Sequence, residues 1–497
     1  LPEPPPELLS PNGITTRYVE DNSTDGVSRP IVLNNFRGIP NQGGFPPDPI
    51  MAAGPNQVMA LVNSSFRIFD KQGNILKTIT AASWHNSIAA GSGPNDPQVL
   101  YDHYAKRWVM QWMTTPTASE HYHMFSVSDD SDALGTWYIW KTPSFTVGDS
   151  GIGSWGDYPA MGYDEHNIYL TSRQFSFSAG SFQYSKLRIV NKELLYANNG
   201  GQLTWTDFWD FRDPQNNSIA PDGLRPSTML ESNSTTYLMN SAPFSGGNYF
   251  TLWKISNPGG TPSITGVNVS VGTYIGAPNA NQLGGSTTLL EAGGSRIRAN
   301  VIFRDSSLWA VHSKASGQGN GYSAVRYVRI NPYTNTTTED VAMGKEGYWH
   351  FYPSITVDKD DNLLIAYSRS GNDEYVGVYV TGRRNTDALG LAQSGTIKTG
   401  ESNYVQVASG RNRWGDYSGI ALDPSDETSA WALVEYAASP SNTWGTWVGK
   451  VRMGPINGSV ISLNSNSLNF SNIEVGHNSD TLSLFITNEG RDTLTIS

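Results

Sequence analysis

Cysteine is absent from all 497 residues, which excludes thiolate catalysis, cysteine-ligated zinc and a disulfide framework. Charged residues make up only 15% of the chain and the formal net charge is −11. Binding to nucleic acid needs clustered lysine and arginine, so this balance argues against such a partner. No stretch reaches the run of about 18 apolar residues that crosses a bilayer, and no membrane span is expected. Leu, Ala, Glu and Lys dominate no segment, so long helices are not expected. HExxH, a phosphate loop and a GxSxG in a strand–turn–helix setting are also missing.

What is plentiful is turn and strand chemistry: 50 Gly, 28 Pro and 11% aromatic residues. Scarce charge with abundant Gly, Ser, Thr, Tyr and Trp is the composition of an all-β protein with many turns. The Pro-rich start "LPEPPPELLSPNG" reads as an extended segment, residues 1–27, and as a mature N-terminus left after export. Secretion to the cell surface or medium is the expectation that follows. Eight Asn-x-Ser/Thr sequons permit glycosylation without arguing for it.

Laying segments under one another exposes a repeat. Seven openings align: Pro46, Pro94, Trp155, Leu224, Ser295, Phe351 and Trp414. Each is a turn with Pro or Asp, a short apolar strand, a polar turn, and a second strand alternating apolar and polar residues. Two openings share the letters Trp-Gly-Asp-Tyr, at Trp155–Tyr158 and Trp414–Tyr417. The openings lie roughly 50 to 70 residues apart, enough for four strands of ordinary length with their loops. The expected fold class is therefore a seven-bladed β-propeller over residues 28–454. A two-sheet sandwich would not explain so many similar openings. Only three strands follow the last opening, so the run "SRPIVLNNF", residues 28–36, is expected to close the last blade by pairing Ile31–Asn35 with it.

"SVSDDSDALGTWYIW" (Ser126–Trp140) resembles the Asp-box of sialidases and related propellers, with two extra residues between Asp130 and Gly135. That resemblance implies a structural hairpin on the outer rim of a propeller blade and says nothing of activity. A sialidase would also need three channel-mouth arginines and a Tyr–Glu nucleophile pair. Only Arg225 and Arg298 are well placed for the former, and no such pair stands out for the latter. Residues 455–497, with their "LNFSNIEVG" and "LFITNEGRDTL" runs, resemble the first strands of immunoglobulin-like modules of bacterial surface proteins. The resemblance implies a partial β-sandwich of less than half a domain.

Candidate chemistry collects at the blade openings, which face one mouth of the central channel. Asp48, Asp96, Asp157 and Asp416 would stand at equivalent heights there, a ring that suits Ca²⁺ because that ion takes six to eight oxygens in loose geometry. The alternative is that each Asp caps its own turn. Trp155, Arg225, Arg298, Trp349, His350, Tyr352 and Trp414 are the candidate ligand-binding residues of the same face, the tryptophans as a floor for stacking sugars. Asp358, Asp360 and Asn362 mimic the start of a calcium loop but fit a hairpin turn better. His121 and His123 share one strand face and could bind a metal, although ordinary exposed strand positions explain them better.

Two functions remain open. One is an extracellular or cell-surface binding or structural protein, carrying Ca²⁺, that recognises a glycan or a protein partner and self-assembles as a homo-oligomer or fibre through its termini. The other is a polysaccharide-degrading enzyme, a glycoside hydrolase or lyase, with its acid and base at the channel mouth.

Overall fold

A computed structural model describes residues 13–22, 28–148, 150–197, 203–242, 245–454, 461–463, 486–488 and 495. Four-stranded antiparallel meanders succeed one another along the chain. The first runs through Ile50–Ala53, Gln57–Val62, Ser65–Asp70 and Ile75–Thr80. The second uses Asn95–Asp102, Arg107–Met113, Tyr122–Ser128 and Trp137–Pro143. The third uses Ser154–Tyr163, Asn167–Ser176, Phe182–Asn191 and Trp205–Trp209. The next three start at Arg225–Met229, Val301–Arg304 and Tyr348–Val357 and follow the same order of pairing.

The last meander has only Gly419–Leu422, Ser429–Ala438 and Thr443–Met453 from its own stretch of chain. Its outer strand comes from the other end of the molecule. Pro30–Pro40 pairs antiparallel with Thr443–Met453, setting Ile31 against Arg452 and Asn35 against Gly449. The strand is longer than the sequence reading allowed, because Ile39 bonds through both its N–H (2.7 Å) and its C=O (3.1 Å) to the Thr446 hydroxyl. An unexpected strand precedes it. Arg17–Glu20 lies parallel to Thr336–Gly344 and adds a fifth strand to that meander, so part of the segment read as merely extended is β-structure.

First strands of successive meanders lie side by side, and Gly419–Leu422 touches both Tyr348–Val357 and Ile50–Ala53, so the cycle closes. The fold is an all-β propeller. Its core sits between the faces of adjacent meanders: Met59, Leu61 and Phe66 pack with Trp108, Met110 and Trp112, and Leu100, Val109 and Phe125 pack with Met161, Ile168 and Leu170. Second strands are therefore covered on both faces. Every residue of Gln57–Val62 and of Ser429–Ala438 is buried, where the sequence reading expected apolar and polar residues to alternate.

The Asp-box-like stretch forms the turn between Tyr122–Ser128 and Trp137–Pro143. The Thr136 N–H donates to Asp129 Oδ1 and the Asp132 N–H to Asp130 Oδ1, and Gln57 of the preceding meander donates to Asp132 Oδ1 at 2.8 Å. The Asp358–Asn362 stretch is likewise a hairpin turn, its Asp358 carboxylate accepting from the N–H groups of Asp360 and Asn362. Most of the immunoglobulin-like segment lies outside the described residues; within it Ile461–Leu463 pairs antiparallel with Ile486–Asn488. Among the described residues no helix is long and apolar enough to cross a membrane.

Candidate functional site

The channel mouth is organised by a recurring backbone irregularity. Strand pairing skips two residues between Asn95 and Gln98, between Asp157 and Ala160, and between Phe351 and Ser354. The first skipped residue in each case has positive φ and precedes proline: Asp96 (48°), Tyr158 (53°) and Tyr352 (50°). Asp48 (51°), before Pro49, repeats the pattern. A non-glycine residue in this region costs of order 1–3 kcal/mol, and such strain gathers at sites where it re-aims a side chain.

The register corrects the expected ring. Asp48 and Asp96 are level with Tyr158 and Tyr352, not with Asp157, which is one residue earlier and pairs across the strands with Arg173. Asp416 likewise precedes the ring tyrosine Tyr417. By its opening sequence each remaining meander contributes Arg225, Arg298 or Tyr417 at that level.

These side chains pack on one another across the channel. The guanidiniums of Arg225 and Arg298 lie 4.5 and 5.5 Å from the Tyr158 ring, and Arg298 lies 5.1 Å from the Tyr352 ring. Arg298 donates to the Tyr158 hydroxyl at 2.7 Å, and the Tyr417 hydroxyl donates to the Pro97 carbonyl at 3.1 Å. The plug is nearly closed to solvent. Behind it lies a channel cavity of about 110 Å³, lined among others by Gln98, Tyr101, Tyr163, Arg298, Ser354 and Tyr417.

Several charges around the plug are paired. Asp416 pairs with Arg298 (3.2 Å) and Arg413 (3.3 Å), and its N–H donates to Asp48 Oδ1 at 2.7 Å. Glu291 pairs with Arg413 and Arg411, and Asp222 takes both Arg173 and Arg296. Four buried guanidiniums, of Arg188, Arg298, Arg326 and Arg383, each have a carboxylate partner. Arg225, also buried, has instead the Ile297 and Pro159 carbonyls and the Tyr158 ring. Burial lowers its pKa accordingly.

The carboxylates differ in environment. Asp96 and Asp157 are only half-buried as residues, yet both carboxyls titrate above the usual range. Desolvation is the main cause for each. For Asp96 the next is the charge of Asp157; for Asp157, Arg173 opposes the rise and Asp416 adds to it. Burial also pushes Asp48 up to about 7, against donors from Asn63 and the Asp416 N–H. Glu435, fully buried, is pushed well up by burial although the Gly415 N–H donates to it at 2.7 Å.

Among the described residues no three carboxylate or imidazole groups gather closely enough to enclose an ion; Asp416 is held by Arg298 and Arg413, and Asp48 accepts from the Asp416 N–H. The tryptophan floor also needs correction. Trp414 is buried and donates to Ser368 Oγ (3.2 Å), and Trp349 is buried and donates to the Gly321 carbonyl (3.0 Å). Of the three, only Trp155 keeps a half-exposed face.

His350 is also buried away from any ligand. Its Nδ1 faces the Ser323 carbonyl (3.0 Å) and its Nε2 faces Asp21 Oδ2 (2.9 Å). The histidine pair was read as exposed or metal-binding; His121 and His123 are in fact buried between the second and third meanders. His121 Nδ1 meets Ser144 Oγ at 2.6 Å, and His123 Nδ1 meets Gln111 Nε2 at 3.3 Å. Of the mouth residues that sequence reasoning missed, Tyr158, Tyr417, Arg173, Asp222, Arg413 and Glu291, only Tyr158 had a visible signal. It is the X-Pro step that opens several inner strands.

The sequence matches no family model and no curated protein. Solved structures that resemble the chain include a Trypanosoma rangeli sialidase in complex with sialic acid, with 10% identity over 81% of this chain and 59% of that one and a TM-score of 0.38. A phage phi92 endosialidase shares 8% identity over 80% of this chain and 77% of that one (TM-score 0.45). A Penicillium chrysogenum α-L-arabinanase complexed with arabinobiose shares 9% over 84% and 98% (TM-score 0.40). The chain thus spans less than two thirds of the Trypanosoma sialidase.

Proposed function

We propose that the protein is a secreted, seven-bladed propeller that binds a glycan at the channel mouth and cleaves it with Asp96 and Asp157 as the acid–base pair. The observation that carries the reading is the position of these two carboxyls, on the adjacent first strands Asn95–Asp102 and Ser154–Tyr163 at one channel mouth. Both residues are half-buried, desolvation raises both carboxyls above the usual carboxylate range, and the charge of Asp157 adds to the rise at Asp96. Glycoside cleavage asks for such an arrangement, one carboxyl kept protonated to donate to the leaving oxygen and another ionised to act as base or nucleophile. Asp96 suits the acid, since its carboxyl feels Asp157, Asp48 and Asp416 together. Asp157 suits the base, since Arg173 favours its charged form. Asp416 is a positioning residue, because it is already held by two guanidiniums.

Turnover on a panel of soluble polysaccharides tests the proposal. Asp96→Asn and Asp157→Asn are each expected to lower kcat by roughly 10²–10⁴-fold with little change in KM. Wild-type rates in both variants would overturn it. A glycan that binds at the mouth without being cleaved would leave recognition alone, the second reading that the matched ion pairs around Asp416 favour.

A further inference from the structure

Next to the mouth, one strip of surface is aromatic in a way the core does not require. Trp155, Phe175 and Phe182 follow one another at ring-centroid steps of 5.5 and 6.0 Å. Tyr122, Phe145 and Phe177 form a second row at 5.5 and 6.5 Å. Phe175 and Phe177, two residues apart, connect the rows at the end of Asn167–Ser176. All six rings are half-exposed, and none belongs to a buried core cluster.

The strip is continuous with the acid–base pair. The Arg173 guanidinium lies over Phe175 (4.9 Å), Phe182 (5.4 Å) and Tyr158 (5.9 Å), and Arg173 is the cross-strand partner of Asp157. At the far end Lys141 lies 4.7 Å from the Tyr122 ring. Small polar groups adjoin Phe175, Phe177 and Phe182 along the chain, the exposed Ser178 and Gln183 and the hydroxyl of Ser176. Flat rings flanked by hydroxyl and amide groups match the two surfaces of a sugar, its apolar C–H face and its rim of hydroxyls. A lipid would call for aliphatic side chains, and an added peptide strand would call for a free sheet edge.

We infer that this strip is a platform for the extended part of a polysaccharide. It lets the protein grip an interior stretch of the chain, with the mouth acting beside it. The inference rests on the reading of the mouth as a glycan site. It widens the substrate class from a sugar end to a long chain, held by Trp155, Phe175 and Phe177 and then outward over Phe145 and Tyr122.

The test compares Tyr122→Ala/Phe145→Ala/Phe177→Ala with the wild type, after thermal melting has shown that both are folded. Binding to arabinan, polygalacturonate and carboxymethylcellulose is measured by affinity electrophoresis, and turnover is measured on polymer and on trisaccharides of the preferred sugar. The variant is expected to bind the preferred polymer about tenfold or more weakly and to raise KM for polymer, with trisaccharide turnover unchanged. Phe177→Ala alone, expected to show the same direction, serves if the triple variant does not fold. Equal polymer binding by wild type and variants overturns the platform and leaves the mouth reading standing. Absence of binding to every glycan overturns both. Binding to phosphatidylglycerol vesicles in place of glycans overturns the platform in favour of a membrane surface.

Discussion

Asp21 shows how much one side chain can do here. Its carboxylate, almost fully buried, accepts from His350 Nε2 (2.9 Å), Arg369 Nη1 (2.9 Å), the Ser394 N–H (2.6 Å) and the Ser394 hydroxyl (2.6 Å). Burial alone would raise its pKa, but the bonds and charges of His350 and Arg369 hold it well below the usual range. Asp21→Ala strands the buried His350 imidazole and leaves Arg369 with Glu374 alone, and is expected to cost about 3–5 kcal/mol in urea unfolding. Hydrogen exchange in Arg17–Glu20 should accelerate with it, because Asp21 is the latch of that strand. The folded pKa is depressed, so this stabilisation is complete above the unfolded value of about 3.9 and is lost as pH falls below it. Little of this was legible: the sequence placed His350 at the mouth because its partner is 329 residues away.

At the scale of elements, the closing strand is the decisive piece. Its Ile39 is fully buried and packs with Val58, Phe69 and Leu433 from both sides of the junction. Ile39→Ala is expected to destabilise by about 2–5 kcal/mol, seen as a lower urea midpoint at unchanged slope. Gly38→Ala tests the same junction through backbone fit, since an added Cβ would come within 2.5 Å of Thr446 Oγ1 and 3.1 Å of the Thr446 carbonyl oxygen. It should fray the seam between the chain's two ends and increase proteolysis there. The pairing of Ile31–Asn35 was readable because one isolated β-like run faced a last repeat short of one strand. The fifth strand Arg17–Glu20 was not readable, as four residues flanked by turns carry no period.

For the whole molecule, buried neutral histidines set the acid limit. Burial lowers His85 to about 4, His121 to about 3 and His312 to about 3, and takes His123 lower still than its ordinary value. The unfolded chain takes up these protons near pH 6.5, so it binds more protons than the fold between that pH and the folded values. The histidine contribution should be complete above about pH 7 and fall from pH 6.5 towards pH 4, opposed over the same window by the raised carboxyls of Asp48, Asp96, Asp157 and Glu435. Urea unfolding in steps of one pH unit checks this, and His121→Gln with His123→Gln should flatten the slope. Calcium is a second test at this scale. Asp416 is already paired with Arg298 and Arg413, so a chelator is expected to leave the melting temperature unchanged.

Periodicity and composition by themselves determined the repeated meander, the all-β class and the need for a strand from the N-terminal end, because hydrophobic spacing and turn residues act locally. They also marked the right face of the molecule, since the openings that share Trp-Gly-Asp-Tyr do meet at one mouth. Which residue of each opening reaches the axis was decided only in three dimensions. A two-residue skip in strand pairing moves Tyr158 to the level of Asp96 and leaves Asp157 beside Arg173. A linear alignment cannot see a bulge, because the backbone spends its extra residue in a left-handed turn without changing the spacing of the letters. Burial of Trp414 and exposure of the Phe175–Phe177 strip were likewise set by neighbours from distant repeats, whose packing no local pattern records.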